Sequence, residues 1–137
     1  KIAATNTCDL NQSDIHTSGH SMEFRINAED PSKGFLPMPG TLELFLPPGG
    51  PGIRIDSHAY PGYKVPPNYD SLLAKLIVWA PTRKECIARS KRALLEFIID
   101  GVPTTIPFHL DVLEHSEFIN GNITTKFIEE HFPETLT

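Results

Sequence analysis

An arginine in the middle of an alternating strand is the residue of this sequence with the most chemistry to offer. Met22-Glu23-Phe24-Arg25-Ile26-Asn27-Ala28 places an apolar side chain at every second position, and strand side chains point alternately to opposite faces. Met22, Phe24, Ile26 and Ala28 are therefore expected on a buried face. Glu23, Arg25 and Asn27 share the opposite, polar face, and Glu29 and Asp30 follow. A guanidinium held among carboxylates and an amide is rigid and permanently charged. It serves either in a salt-bridge network on a wet sheet face or as a preorganised cation for an anionic group of a ligand. Spacing alone does not choose between these roles.

Other candidate chemistry is thinner. His16 and His20 stand four apart, but Gly19 lies between them and no cysteine or carboxylate completes a ligand set, so no metal site is expected. Gly49-Gly50-Pro51-Gly52 lacks the Gly-Lys-Ser/Thr ending of a phosphate loop, and Pro51 removes an amide donor. It is expected to be a turn between strands. No Ser-His-Asp or Cys-His arrangement is legible. Cys8 lies in a polar stretch and Cys86 inside a predicted helix, which suits reduced thiols in an intracellular protein.

The elements around Arg25 follow from pattern and punctuation. Residues 5–19 read as a connecting loop. Nine of the 13 prolines fall between Pro31 and Pro67, which excludes long helices there. Leu42, Leu44 and Leu46 alternate as the buried face of a second strand, and Ile53 and Ile55 oppose Arg54, Asp56 and His58 in a third. Leu76-Ile77-Val78-Trp79 is a continuous apolar run, expected to be covered on both faces. Thr82 and Glu85 form a capping box at the start of a helix. Its apolar face is Ile87, Leu94 and Ile98, and Asp100-Gly101 is expected to end it. Pro107 suits the first turn of the next helix. Asn120-Gly121 is a turn, and Thr124 or Thr125 is expected to cap a last helix running to His131. Strands followed by helices indicate an α+β fold, a small antiparallel sheet followed by helices.

At 137 residues the chain fits one domain with a modest core. A net charge of −5 with no basic run argues against nucleic acid, and no apolar run reaches the ~20 residues of a membrane helix. Lys1-Ile2-Ala3-Ala4 reads as the last turn of a helix that starts earlier, so the chain is expected to be a piece of something longer. Residues 1–19 are taken as the tail of a preceding domain with its connecting loop, and residues 20–137 as the domain proper.

The segment from Gly19 through Arg25-Ile26-Asn27-Ala28-Glu29-Asp30-Pro31 resembles the entry strand of the biotin carboxylase C-terminal domain. The likeness continues through Phe35-Leu36-Pro37, Pro39-Gly40, Asp56-Ser57-His58, Tyr60, Gly62-Tyr63 and Val65-Pro66-Pro67. Tyr69-Asp70-Ser71, Lys75-Leu76-Ile77 and Ile99-Asp100-Gly101-Val102-Pro103-Thr104 extend it, in order, over nearly the whole chain. The fold this implies is a small antiparallel sheet with helices, packed on an ATP-grasp domain. The implied reaction is carboxylation of carrier-bound biotin by ATP and bicarbonate through carboxyphosphate. An arginine matching Arg25 stands beside the biotin ureido oxygen in the family, where a fixed cation meets developing negative charge.

The resemblance further implies that Glu23 and Asn27 support the biotin site. Arg54 matches an arginine at the dimer interface of bacterial members, and Asp70 lies in a motif near that region, although some members carry an aromatic residue where this chain has Pro51. ATP and Mg2+ are expected on the upstream ATP-grasp domain, with no ATP-binding residue and no metal ligand in this chain. The implied partners are that domain, the biotin carboxyl carrier protein, a carboxyltransferase component and a second copy in a homodimer; no nucleic acid or membrane is implied. The parent is expected to be an acetyl-CoA carboxylase component for fatty-acid synthesis, cytoplasmic, or in an organellar matrix or stroma if eukaryotic. This piece alone is expected to be inactive. The rival readings are a non-catalytic interaction domain that retained the fold and another ATP-grasp ligase with a similar small domain.

Overall fold

The fold is described from a computed structural model, over residues 2–136. A short helix α1 (Ile2–Thr5) leads into an exposed loop. Strands β1 (His20–Asn27), β2 (Glu29–Asp30), β3 (Leu36–Pro37), β4 (Gly40–Thr41), β5 (Leu44–Leu46), β6 (Ile53–Ser57), β7 (Lys64–Val65) and β8 (Leu72–Ala80) follow. Helix α2 (Arg83–Glu96) comes next, then strand β9 (Ile98–Asp100) and helices α3 (Ile106–Glu114), α4 (Ser116–Asn120) and α5 (Phe127–His131). The main sheet is antiparallel with strand order β1-β8-β6, accompanied by two-stranded ribbons β2-β3, β4-β7 and β5-β9.

Alternation in β1 and β6 behaves as the sequence predicts. Phe24, Ile26 and Ala28 are buried and Met22 is half-buried against them. Their partners across β8 are Leu76 for Phe24, Ala74 for Ile26 and Val78 for Met22. Helix α2 lays Cys86, Ile87, Ser90, Ala93 and Leu94 on this face. Fully burying a Leu, Ile or Phe side chain contributes about 1.5–3 kcal/mol, and this layer holds β1 in place. The Thr82 capping box forms: Thr82 Oγ1 accepts from the Glu85 N–H, and Glu85 accepts from the Thr82 N–H at 3.1 Å. Pro107 sits in the first turn of α3.

Four local expectations are corrected. The apolar run in β8 is covered on one face only: Leu76 and Val78 are buried, but Ile77 is half-buried and Trp79 is 44% exposed. The reason is that α2 packs on a single side of the sheet. In β5 the phase is opposite to that predicted. Phe45 points inward, 5.4 Å from the Phe97 ring, while Leu44 and Leu46 are exposed and Leu42 is buried ahead of the strand. The chain changes direction between β4 and β5, so Leu42 and Leu44 do not belong to one pleat.

Helix α2 stops at Glu96, and Ile98 belongs to β9, which pairs with β5. Gly101 does adopt a positive φ of 99°, but it turns the chain out of that strand. An added Cβ there would collide with the Thr41 carbonyl. The last helix has Lys126 at its N-cap position without a side-chain cap, while Thr124 Oγ1 accepts from the Lys126 N–H at 3.2 Å in the preceding turn. Asn120-Gly121 turns as expected, with Gly121 left-handed, but it closes an additional helix, α4.

Candidate functional site

The face of the main sheet opposite α2 carries the charged side chains. Antiparallel register sets them in rows: Arg25 stands beside Lys75, which stands beside Asp56, and Glu23 beside Ile77, which stands beside Arg54. Adjacent strands are about 4.8 Å apart, so the outer members of a row are separated by roughly 10 Å. Opposite charges interleave. Arg54 forks onto Asp56 with Nε to Oδ1 at 2.9 Å and a second N–H to Oδ2 at 2.8 Å. Through these hydrogen bonds Arg54 holds the Asp56 carboxyl below its ordinary range, and its own pKa is raised in return. Glu23 lies 3.7 Å from Lys75.

Arg25 does not pair with Glu23. Its carboxylate is Asp70, at 3.0 Å, anchored in turn because Asp70 Oδ1 accepts from the Leu72 N–H at 2.9 Å. Asp70, expected in a motif near the dimer interface, is thus also the ion-pair partner of Arg25. Both partners are open to solvent, with the Arg25 side chain 47% and that of Asp70 65% exposed. A guanidinium has five N–H donors, and among the described residues it bonds only to Asp70. Most of its hydrogen-bonding capacity therefore faces outward.

Asn27 ends β1 at an irregularity in the register between Ile26 and Asn27. Its Nδ2 donates to Glu29 Oε1 at 2.9 Å, and the Ser71 hydroxyl donates to the same oxygen. Asn27 Oδ1 is buried with no hydrogen-bond partner among the described residues. An orphaned buried acceptor costs about 1–3 kcal/mol, and this oxygen is enclosed by the chain itself. Arg54, two strands away from Arg25, shares its face but not its contacts.

Two residues that no local sequence pattern singles out reach the site from α3. The Thr105 hydroxyl donates to the Arg25 carbonyl at 2.9 Å, and His109 Nε2 lies 3.0 Å from the same oxygen. They are 80 and 84 residues from Arg25, and no local pattern signals contacts at such separations. Burial holds the His109 pKa below its ordinary 6.5. Among the described residues no group of three or more His, Cys, Asp or Glu side chains is arranged to hold a metal ion. The arrangement supplies a solvent-facing cation on a rigid strand, with an orphaned amide oxygen two residues along.

Biotin carboxylase 1 of Bacillus subtilis is 54% identical over 131 residues, 96% of this chain and 29% of that protein. Chloroplastic biotin carboxylase 1 of Populus trichocarpa is 56% identical over 96% of this chain and 25% of its own length. The biotin carboxylase domain of Hydrogenobacter thermophilus 2-oxoglutarate carboxylase, a dimer in complex with MgADP and bicarbonate, superposes with a TM-score of 0.91. It is 46% identical, covering 99% of this chain and 30% of that one. The chain thus spans less than a third of the length of these relatives. Residues 23–130 match the model of the biotin carboxylase C-terminal domain, and the chain belongs to that family.

Proposed function

We propose that the chain is the C-terminal part of a biotin carboxylase and forms one wall of the site where carrier-bound biotin is carboxylated with ATP and bicarbonate. The observation that carries this reading is Arg25. It is a half-exposed guanidinium on an anchored strand, restrained by one exposed carboxylate and otherwise turned outward. Bound biotin supplies a ureido group whose nitrogen accepts the carboxyl group and whose oxygen gains negative charge. Arg25 meets that charge with a cation that needs little reorganisation. Asn27 supports the site from beneath, its Nδ2 holding the Glu29 carboxylate at 2.9 Å. Glu23, paired with Lys75, sets the local potential. ATP and Mg2+ are assigned to the preceding part of the parent protein.

The exposure of residues 2–18, with Trp79 Nε1 donating to the Ser18 carbonyl at 3.1 Å, supports reading them as a tail that packs on a preceding domain. Arg54 and Asp70 are assigned to a homodimer contact, with the carrier protein and a carboxyltransferase as further partners. We favour an acetyl-CoA carboxylase serving fatty-acid synthesis. Relatives named simply biotin carboxylase span 44–56% identity, and those named for pyruvate or 2-oxoglutarate carboxylases stand at 46–47%, so the reading rests on the upper end of that range. No helix among the described residues is long and apolar enough to cross a membrane; a cytoplasmic, matrix or stromal site goes with the parent enzyme proposed here. The test is to assay the full-length parent for bicarbonate-dependent ATP cleavage coupled to biotin carboxylation. ATP cleavage indifferent to biotin would overturn the reading and favour an interaction domain; the acceptor follows from adding carboxyltransferase with each acyl-CoA or 2-oxo acid.

A further inference from the structure

Strand β1 lies at the edge of its sheet, so the backbone groups on its outer side have no strand to bond. At Arg25 and Asn27 that edge is filled by the start of α3. The Thr105 hydroxyl donates to the Arg25 carbonyl at 2.9 Å and accepts from the Asn27 N–H at 3.1 Å. The Thr105 N–H donates to the Asn27 carbonyl at 3.2 Å. His109 Nε2 donates to the Arg25 carbonyl at 3.0 Å. A carbonyl oxygen only accepts, so Nε2 carries the hydrogen, and both lone pairs of the Arg25 oxygen are engaged.

Thr105 occupies the N-cap position of α3, where a threonine side chain ordinarily accepts from the helix's own first turn. Here it makes no capping bond to its helix; the hydroxyl is turned to β1 instead. Thr105 is 5% exposed. His109 follows it at i+4 and therefore shares its helix face. The His109 ring is fixed edge-on against Phe24, with centroids 5.4 Å apart, and Phe24 is the residue preceding Arg25 in the strand. Four hydrogen bonds and one ring contact thus converge where β1 loses its regular register.

We propose that Thr105 and His109 are positioning residues that fix the backbone of β1 at Arg25 and thereby set where its guanidinium stands. This rests on the catalytic role proposed for Arg25 above. The physical ground is that displacing a catalytic group by about 1 Å can cost on the order of 10²-fold in rate. Among the described residues the Arg25 side chain is held by one exposed ion pair, so its position depends chiefly on its backbone.

The test uses the full-length parent protein, with free biotin as acceptor and rates expressed per folded molecule. His109→Leu is expected to lower kcat for biotin carboxylation on the order of 10-fold without changing the KM for ATP. His109→Gln, which keeps an N–H donor, is expected to restore most of the rate. Thr105→Val and Thr105→Ser form a second such pair, which decides the matter should His109→Leu fail to fold. In an Arg25→Gln background, His109→Leu is expected to add no further loss. Normal turnover by both His109→Leu and Thr105→Val, with Arg25→Gln slow, overturns the positioning role alone. Equal losses with and without Arg25 also overturn it, because they show an action that bypasses the guanidinium. Normal turnover by Arg25→Gln itself removes the reading on which the proposal rests.

Discussion

Substituting Arg25 with glutamine removes a charge while keeping a polar side chain, and the structure allows its two possible costs to be weighed separately. For stability, the side chain fills no core, and its only ion pair among the described residues joins groups that are 47% and 65% exposed. Exposed pairs of this kind contribute about 0.2–1 kcal/mol. The backbone bonds from Thr105 and His109 to the Arg25 carbonyl do not involve the side chain. The melting temperature of the full-length protein is therefore expected to fall by no more than about 4 °C. For catalysis, losing one preorganised donor to developing negative charge costs about 2.7–4 kcal/mol, or roughly 10²–10³ in rate. The predicted loss of turnover thus exceeds the predicted loss of stability severalfold in free energy. Melting temperature and biotin-dependent carboxylation, measured on the same full-length variant, separate the two. A variant that melts far earlier yet turns over normally per folded molecule would refute the catalytic assignment and return Arg25 to a structural salt bridge.

Phe24→Ala is expected to cost about 3–5 kcal/mol, since Phe24 is 6% exposed and packs on His109 as well as the core; an unchanged denaturation midpoint would contradict this. Arg54→Glu should shift the dimer of the intact protein toward monomer, because it opposes the interface and also sets a like charge beside Asp56; unaltered sedimentation at low concentration would count against it. A third expectation concerns pH. Burial lowers the His109 pKa below 6.5, so its neutral form stabilises the fold above the unfolded pKa, and that contribution is lost as pH falls from 6.5 through the lowered folded value. The melting temperature should decline in that window, and His109→Gln should flatten the decline. Asp30 and Asp56, held low by their bonds from Ser32 and Arg54, act only under about 3.8.

What the sequence determined by itself is whatever depends on neighbours along the chain. The two-residue alternation of β1 and β6 assigned Phe24 and Ile26 to the core and Glu23, Arg25 and Arg54 to the opposite face. The Thr82–Glu85 cap needs only three residues of separation, and Pro107 acts through its own ring. Local pattern is silent about where the chain returns. The phase of β5 was decided by the turn after β4 and by Phe97 meeting Phe45. The end of α2 was decided by β9 finding β5, and the one-sided burial of β8 by a single helix covering the sheet. The same holds at the site. Arg25 could be recognised as a cation on a polar face, but its partner Asp70 lies 45 residues away and its backbone anchors 80 and 84. Such pairs are fixed by sheet register and by where α3 docks, which are properties of the packed chain rather than of any one segment.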